Sequence, residues 1–450
     1  MTLPPKPESR PAKVSLWRYA KLFRQDILSA QPARLYRAWM AEFKTPFFRS
    51  YLINQPDLIQ TVLKTRPDDY PKSNRIGEGL RPLLGNSVFL TNGETWKRQR
   101  RIIDPAFEGG RLRETFPAIW DAAEAAAARL APHDGEPLEA EAQTSHAAAD
   151  VIFRTLFSIP IEHHMAREVF DEFKTYQRSQ PILNIAAFVP LPRWLPRLFR
   201  QDTKRSAAKI RQLITALTAE RMEAIKAGTA PDDLATKIMT TPDPEDGSTF
   251  TTEEMVDQVA IFFLAGHETS ASALAWAMYL VATHPDWQDR LAKEAQVIDQ
   301  CDFAVMGQLR QSRDVFREAL RLYPPVPMMV REASCPATFR DRQVARGAQV
   351  VISPWHLHRH ERLWDNPDGF DPARWHSENG KKCQREAYLP FSAGARVCPG
   401  AGFAMVEGPL ILSRILRDYR IEVVGEKPPV PVAHLTVRSK DGILLRFVRR

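Results

Sequence analysis

The chain of 450 residues has a net charge of +8, a pI of about 9.3 and a hydrophobic fraction of 44%. The hydrophobic fraction and the charged fraction of 26% are those of an ordinary soluble globular protein. The basic residues are dispersed, without the basic helix, zinc-finger spacing or aromatic-laced ribbon that nucleic-acid-binding proteins use. The positive charge therefore indicates either a solvated surface or a docking face for an acidic protein partner.

The cysteines and the N-terminus bear on the cellular setting. The four cysteines form no C-x-x-C pair, which argues against a zinc site or a disulfide scaffold and favours a reducing compartment. Residues 1–15 are polar and proline-rich, and we expect them to form a mobile tail. No run approaches the ~18 apolar residues that a membrane-spanning helix needs, so we expect no transmembrane anchor.

The first regular elements are expected near residue 50. Residues 47–53 predict a strand, and residues 55–65 predict the helix that follows. Arg49 and Tyr51 would share one face of the strand. They could bind a carboxylate at the mouth of a channel, although the ordinary polar decoration of a surface strand is the favoured interpretation.

A short helix is expected after the turn at residues 91–93. Trp96 and Arg100 lie four residues apart in it and therefore on one helix face. The planar guanidinium of Arg100 would bind a carboxylate through two hydrogen bonds, which a lysine cannot do. The spacing alone is weak evidence for a site.

Helices are expected over much of the next part of the chain. The alanine-rich stretch 111–157 is predicted to be helical, as is most of 163–227. The segment 181–196 interrupts the pattern, because its four prolines exclude a continuous helix.

A single long helix is predicted for residues 251–283. Thr251 and Glu254 form a capping box at its start, and its length would be roughly 48 Å at 1.5 Å per residue. Ala265-Gly266-His267-Glu268-Thr269-Ser270 stands in its middle. A glycine inside a helix costs up to ~1 kcal/mol relative to alanine, so we expect Gly266 to leave room for a group against the helix, with space for dioxygen. By themselves, Glu268 and Thr269 would be interpreted as a solvated helix face.

The C-terminal half contains further charged residues at suggestive positions. Glu318 and Arg321 stand at i and i+3 on a predicted helix, a spacing that is common by chance and contributes only ~0.3 kcal/mol on a surface. Arg331 follows an apolar run, and Arg374 lies in the segment 370–375. His358 and its neighbour Arg359 are interpreted as surface or packing residues.

The most informative stretch is Phe391-Ser392-Ala393-Gly394-Ala395-Arg396-Val397-Cys398-Pro399-Gly400. Gly394 and Gly400 allow the chain to turn tightly and to approach a flat cofactor without Cβ clashes. The apolar pattern from residue 401 predicts a helix, whose N-terminus lowers the pKa of a nearby thiol, and Arg396 adds positive charge. A lone free cysteine is usually a small buried hydrophobic residue, so the flanking residues decide the interpretation of Cys398.

The pattern Phe391-x-x-Gly394-x-Arg396-x-Cys398-x-Gly400 resembles the haem-binding signature of the cytochrome P450 family. The resemblance implies one domain over residues 1–450 with the mainly α P450 fold, an α-rich prism with small β-sheets. Haem b would lie between the long helix and the cysteine loop. Cys398 would be the thiolate ligand of the iron and would push electron density toward it, which favours cleavage of a bound O–O bond.

Three other motifs resemble those of the family and occur in its order. The long-helix motif resembles the oxygen-activating motif, with Glu268 as the acid, Thr269 as the hydroxyl and Ser270 in place of the usual second threonine. The resemblance also assigns haem contacts to Trp96, Arg100, Ala265, Gly266 and Arg331.

The remaining likenesses concern the core and the substrate channel. Glu318, Arg321 and Arg374 resemble the E-x-x-R network that holds the haem-binding core. Segment 181–196 stands where the family has a lid over the substrate channel, which hints at apolar substrates or brief membrane contact. Packing of Phe188 and Trp194 under a loop is the alternative.

The implied function is that of a cytoplasmic monooxygenase that inserts one atom of O2 into an apolar substrate. About fifty residues follow Cys398, too few for an appended reductase, so we expect electrons from a separate ferredoxin or flavodoxin with its NAD(P)H-dependent reductase. A lipid or fatty acid is the first choice of substrate, because the His267-Glu268 version of the motif is frequent in fatty-acid-hydroxylating branches. Terpenes, steroids and aromatic compounds stay open.

Two rival functions are considered. A peroxide-driven P450, or one that catalyses dehydration or isomerisation, would generally lack the acid and threonine pair. A haem carrier or gas sensor would need neither that pair nor the propionate-binding residues. Shifts of the Soret band with fatty acids, terpenes or steroids would distinguish an enzyme from a sensor.

Overall fold

The structure, a computed structural model, describes residues 3–44, 48–77, 79–179, 201–433 and 435–450. The described residues are mainly α-helical with small β-sheets, as predicted. The helices are α1 (Leu16–Gln25), α2 (Pro56–Gln60), α3 (Asn74–Gly77), α4 (Arg81–Leu84), α5 (Gly93–Ile103), α6 (Gly109–Glu114), α7 (Phe116–Ala128), α8 (Ala140–Phe157), α9 (His164–Ser179), α10 (Gln201–Lys226), α11 (Leu234–Thr240), α12 (Thr252–Ala282), α13 (Pro285–Glu294), α14 (Arg310–Leu322), α15 (Pro354–Leu357), α16 (Glu378–Glu386) and α17 (Ala401–Asp418). The strands are β1 (Met40–Lys44), β2 (Arg49–Ile53), β3 (Pro137–Glu139), β4 (Met329–Glu332), β5 (Ala337–Phe339), β6 (Arg342–Val344), β7 (Gln349–Ile352), β8 (Tyr419–Val423), β9 (Pro431–Ala433), β10 (Val437–Ser439) and β11 (Leu444–Arg449).

The chain divides into two compact units. Unit 1 contains Met1–Pro71, Ala123–Ala147 and Thr269–Arg450, and unit 2 contains Lys72–Ala122 and Ala148–Glu268. The expectation of one domain over the whole chain stays a prediction.

The principal sheet of unit 1 has the strand order β1-β2-β7-β4, in which β2 and β7 run parallel and the other pairs are antiparallel. The strand predicted over 47–53 is present as β2, from Arg49 to Ile53. The helix predicted to follow it begins as α2 at Pro56. Tyr51 is fully buried in this sheet, and its hydroxyl donates to the Gln343 carbonyl at 3.2 Å. The suggestion that Tyr51 binds a carboxylate or decorates the surface is therefore wrong. The Arg49 guanidinium lies 3.6 Å from the carboxylate of Glu42 on the neighbouring strand β1.

The helical stretch predicted at 111–157 is interrupted. It contains α6 and α7, a turn around Gly135, and strand β3 before α8 begins. Strand β3 pairs with β11, so a sheet contact formed far along the chain overrides the local helical pattern.

The long helix is confirmed as α12, with 31 residues. Its capping box is present, since the Thr251 amide donates to Glu254 at 2.9 Å and the Glu254 amide donates to the Thr251 hydroxyl at 3.2 Å. None of the helices in the described ranges has a stretch long and apolar enough to cross a bilayer.

The described residues of the N-terminal segment make specific contacts. The Arg10 guanidinium donates to the Ala30 carbonyl at 2.6 Å, and the Tyr323 hydroxyl donates to the Pro5 carbonyl at 2.9 Å. The expected mobility of residues 1–15 stays a prediction.

A buried charge network ties α14 to the segment that follows α15. The Glu318 carboxylate accepts from Arg321 at 2.7 and 2.9 Å and from Arg374 at 2.9 Å, and all three side chains are buried. Burial alone would raise the pKa of Glu318, but Arg321 and Arg374 outweigh it and leave that pKa below its ordinary value. The network predicted from E-x-x-R is confirmed as a structural feature of unit 1.

A second buried carboxyl group connects α17 to α12. The Ser270 hydroxyl donates to Glu407, and Glu407 is 4% exposed. Burial raises the pKa of Glu407 from 4.5 to about 7, although the hydrogen bond from Ser270 opposes the shift. Glu407 is therefore a buried carboxyl group with a weakened tendency to ionise, inside the apolar stretch of α17.

We predict that Glu318→Gln destabilises the protein by about 3–5 kcal/mol. The substitution leaves two buried guanidinium groups without their counter-charge, and removal of one partner of a buried ion pair has this cost. The free energy of unfolding in urea measures the effect. Glu378→Gln is the matched control, because Glu378 is 94% exposed and its 3.2 Å pair with Lys381 lies on a surface. Equal stabilities of the two variants would contradict the structural role of Glu318.

We predict that Glu407 makes stability fall as pH rises. The unfolded chain ionises this carboxyl near pH 4.5 and the folded chain ionises it near pH 7, so the relative stabilisation present below pH 4.5 is lost as pH rises to about 7. The loss would be roughly 3 kcal/mol relative to Glu407→Gln, since a tenfold change in proton affinity is worth about 1.4 kcal/mol. Urea unfolding of both proteins across this range measures it. A stability difference that does not change with pH would contradict the prediction.

Candidate active site

The loop that carries Cys398 in unit 1 is closed by its own backbone. The Cys398 amide donates to the Phe391 carbonyl at 2.9 Å, and the Val397 amide donates to the Gly394 carbonyl at 3.0 Å. Gly394 has a φ of +69°, and a Cβ at this position would stand 1.9 Å from the Leu63 carbonyl oxygen. Only glycine fits this turn. Cys398 itself is exposed, three residues before α17 begins.

His358 anchors the start of this loop. The Leu389 amide donates to His358 Nε2 at 2.8 Å, so Nδ1 carries the proton and donates to the Arg321 carbonyl at 3.1 Å. Burial and the charge of Arg321 lower the pKa of His358 to about 3, which keeps the ring neutral and Nε2 available as an acceptor. His358 is completely buried and holds a defined place between the charge network and the cysteine loop. Its interpretation as a possible surface residue is wrong.

Arg331 is a buried cation of unit 1. It lies on β4 opposite Val350, is 5% exposed, and forms no ion pair or side-chain hydrogen bond with any residue that the structure describes. Burial lowers its pKa to about 10, so it remains charged at neutral pH. A buried cation without a counter-charge is strongly unfavourable. The position therefore fits a carboxylate supplied by a bound group.

Unit 2 contributes Trp96 and Arg100, both on α5 as predicted. Trp96 is buried, and the Arg100 guanidinium lies 6.0 Å from the centre of its ring. Arg100 Nε also lies 2.7 Å from Asp104 Oδ1. Burial raises the pKa of Asp104 despite this neighbour, so the ion pair is partly desolvated. Arg100 is thus oriented before any ligand binds.

The middle of α12 presents an accessible stretch among buried neighbours. Ala265 is exposed, although Leu264 before it and His267 after it are buried. Phe262, Gly266 and Thr269 are intermediate in exposure and follow at helical spacing on the same side. An accessible stripe in the middle of a long helix fits a face reserved for a cofactor and a substrate.

Gly266 has a different neighbour from the one expected. A Cβ at this position would stand 2.3 Å from the δ-methyl carbon of Ile152 on α8. The side of Gly266 where a Cβ would project is occupied by the side chain of Ile152. The space for dioxygen that was expected on this side is therefore filled by protein. Ala265 provides the accessible surface instead.

Glu268 is buried, and Tyr176 of α9 lies near it. Burial, followed by the charge of Glu268, raises the pKa of Tyr176 above its ordinary value. Glu268 is therefore not on a solvated helix face. Thr269, the next residue, begins the part of α12 that belongs to unit 1.

The predicted site residues fall into two groups. Unit 1 holds Arg331, Phe391, Gly394, Arg396, Cys398, Gly400 and Thr269, and unit 2 holds Trp96, Arg100, Ala265, Gly266 and Glu268. The predicted lid at 181–196 lies outside the described residues. The sequence analysis did not predict that His358 anchors the cysteine loop, and it named neither Tyr176 nor Glu407. Of these, Glu407 had a visible signal, as a lone carboxyl in an apolar helical run.

The residues present fit haem. An exposed thiol is held on a rigid loop, a buried guanidinium has no protein counter-ion among the described residues, and an accessible alanine interrupts a buried helix. These features match an iron ligand, a propionate site and a flat apolar surface, respectively.

Comparison with known proteins identifies the family. The family model described as Cytochrome P450 matches residues 34–446. Cyclooctat-9-en-7-ol 5-monooxygenase of Streptomyces melanosporofaciens is 32% identical over 91% of this chain and 87% of that protein. Cytochrome P450 4A14 of Rattus norvegicus is 30% identical over 91% of this chain and 82% of that protein. The crystal structure of the cytochrome P450DA heme domain has a TM-score of 0.79 at 22% identity and covers 100% of this chain and 98% of that one. The chain therefore belongs to the cytochrome P450 family of haem-thiolate monooxygenases.

Proposed function

We propose that this protein is a cytoplasmic monooxygenase that uses haem b to hydroxylate an apolar, lipid-like substrate. The observation that carries the proposal is the exposure of Cys398 on a fixed loop. Backbone hydrogen bonds within the loop, the turn at Gly394 and the contact of His358 with Leu389 hold the loop in place. The four cysteines form no disulfide bond with one another, which suits a reducing compartment.

The proposed haem contacts are the residues that the sequence analysis named. Cys398 Sγ would bind the iron, and Arg331, Arg100, Trp96 and Arg396 would bind the propionates. A guanidinium forms two parallel hydrogen bonds to a carboxylate, which fixes orientation as well as position. The remaining proposed contacts are the backbones and small side chains of Phe391, Gly394, Gly400, Ala265 and Gly266. When bound, haem supplies the binding and reductive cleavage of O2.

Glu268 and Thr269 would control protons beside that chemistry. The Thr269 hydroxyl would donate and accept hydrogen bonds and thereby position a water molecule. The Glu268 carboxyl would exchange a proton with that water, which is general acid catalysis through a hydroxyl. Glu268 is buried, so its contact with bulk water is limited.

The substrate class follows from two arguments. The motif around His267 and Glu268 resembles that of fatty-acid-hydroxylating branches, which makes a fatty acid the first choice. A relative named for its action on cyclooctat-9-en-7-ol makes an alcohol of that kind the second candidate.

Electrons would come from an acidic ferredoxin or flavodoxin with its NAD(P)H-dependent reductase. Lys64 is exposed beside the cysteine loop, with its Cα 3.2 Å from the position of a Gly394 Cβ, whereas the nearby Arg66 is paired with Asp69 at 2.5 Å. Complementary charge accelerates association with an acidic partner and is screened by salt.

We predict that Thr269→Ala uncouples the reaction. With a fatty acid that shifts the Soret band, the wild-type protein should place one oxygen atom from labelled O2 in the product. The variant should bind haem and substrate normally, but its yield of product per NAD(P)H should fall by about tenfold or more, with peroxide released instead, because positioned proton transfer contributes roughly 10²–10⁴-fold. Thr252→Ala, at the exposed start of the same helix, is the control.

Three outcomes would contradict the proposal. Unchanged coupling in Thr269→Ala would mean that this hydroxyl has no part in proton delivery. Product formation without oxygen from O2 would indicate a dehydration, an isomerisation or a peroxide-driven reaction. Ligand binding without turnover, given a competent reductase system, would indicate a sensor or carrier.

A further inference from the structure

Helix α1 has one face fixed against unit 1. Tyr19 stacks on Phe43 with ring centres 6.5 Å apart and lies 5.7 Å from Phe23. The Arg10 guanidinium lies 5.4 Å from the centre of the Tyr19 ring, and burial raises the pKa of Tyr19. The Ser15 hydroxyl caps the helix by accepting from the Arg18 amide at 3.2 Å. These contacts determine which side of the helix faces solvent.

The opposite face of α1 carries an exposed aromatic ring. Trp17 is 83% exposed, more than any other large apolar side chain in the described ranges. Residues 17, 21 and 24 lie on one side of a helix, so Trp17 shares its face with Lys21 and Arg24, and both are exposed. Single apolar residues on surfaces are common, but here the ring stands within a patch of one charge.

The charge of this face is not neutralised by the protein. The helix contains no acidic residue, and Arg18, Lys21 and Arg24 form no ion pair within the described chain. Asp26, just after the helix, is 5% exposed, and its carboxylate accepts from the backbone amides of Leu28, Ser29 and Ala433. Its charge is therefore directed into the protein.

We propose that α1 is a docking helix for an anionic phospholipid surface. Trp17 would insert at the level of the headgroups, where tryptophan is enriched, and Arg18, Lys21 and Arg24 would contact lipid phosphates. Each lysine or arginine near such a surface contributes about 1 kcal/mol. The inference does not depend on the proposed reaction, but it would bring the enzyme to the phase in which a lipid substrate dissolves.

A lipid surface fits this helix better than a protein does. A specific protein interface buries about 800 Å² on each partner around an apolar core with several anchors. The outer face of α1 offers one exposed aromatic ring among the long side chains of Arg18, Lys21 and Arg24. A fluid surface of phosphates accepts that arrangement without shape complementarity.

The test is co-sedimentation of the haem-loaded full-length protein with vesicles at low salt. Phosphatidylcholine vesicles containing about one quarter phosphatidylglycerol should bind the protein, pure phosphatidylcholine vesicles should bind it much less, and added salt should release it. Lys21→Ala/Arg24→Ala should lower the partition coefficient on anionic vesicles by about 30-fold, from two charges at about 1 kcal/mol each. Trp17→Ala should lower it with no change in net charge.

The control is Lys427→Ala/Lys440→Ala, which removes the same charge from two exposed positions of unit 1. Its partition coefficient should stay within about twofold of wild type. An equal loss in this control would overturn the proposal in favour of general charge attraction, and so would equal binding to neutral vesicles. If the α1 variants kept vesicle binding but slowed reduction by an acidic redox protein, the helix would be a protein docking site instead. Turnover of a soluble substrate should be unchanged in all variants, which separates this test from that of the reaction.

Discussion

The ion pairs of Glu318 with Arg321 and Arg374 are the interaction on which the position of the Cys398 loop depends. The Glu318 carboxylate binds both guanidinium groups inside unit 1, and Arg321 is in turn bonded to the backbone of His358 at 2.8 Å. The ring of His358 then holds Leu389, two residues before the loop that ends at Cys398. Each of these hydrogen bonds is short and buried, so water does not compete for the groups that form it. A sulfur on an exposed loop can thus keep a defined position, because a rigid polar core lies directly behind it.

The buried charges of unit 1 divide by whether the protein itself neutralises them. Glu318, Arg321 and Arg374 compensate one another, which is the signature of a structural network. Arg331 has no such partner among the described residues and remains a cation at neutral pH. We propose that a bound carboxylate offsets that cost, so that a buried charge belongs to a structural network at Glu318 and to a proposed binding site at Arg331.

The sequence predicted the elements whose signals are local. The capping box and apolar run of α12, the helix after Cys398 and the E-x-x-R spacing are all present, because caps, periodicity and i, i+3 pairs act within a few residues. It could not predict partners from distant segments, such as Ile152 beside Gly266 or Ser270 against Glu407. Strand β3 and the burial of Tyr51 were not predicted for the same reason, since sheet pairing between remote segments determines both. Motifs therefore named the candidate site residues, and tertiary contacts explain why those residues have their particular neighbours.

The central claim is that Cys398 presents a thiolate to haem iron from a loop fixed by the core of unit 1. The most direct measurement is the absorption spectrum of the reduced carbon monoxide complex of the wild-type protein and of Cys398→His, each at equal haem content. The account predicts a Soret band near the wavelength that gives the family its name in the wild-type protein and its loss in Cys398→His, because the band depends on the sulfur ligand. A Cys398→His protein that kept that band would contradict the account.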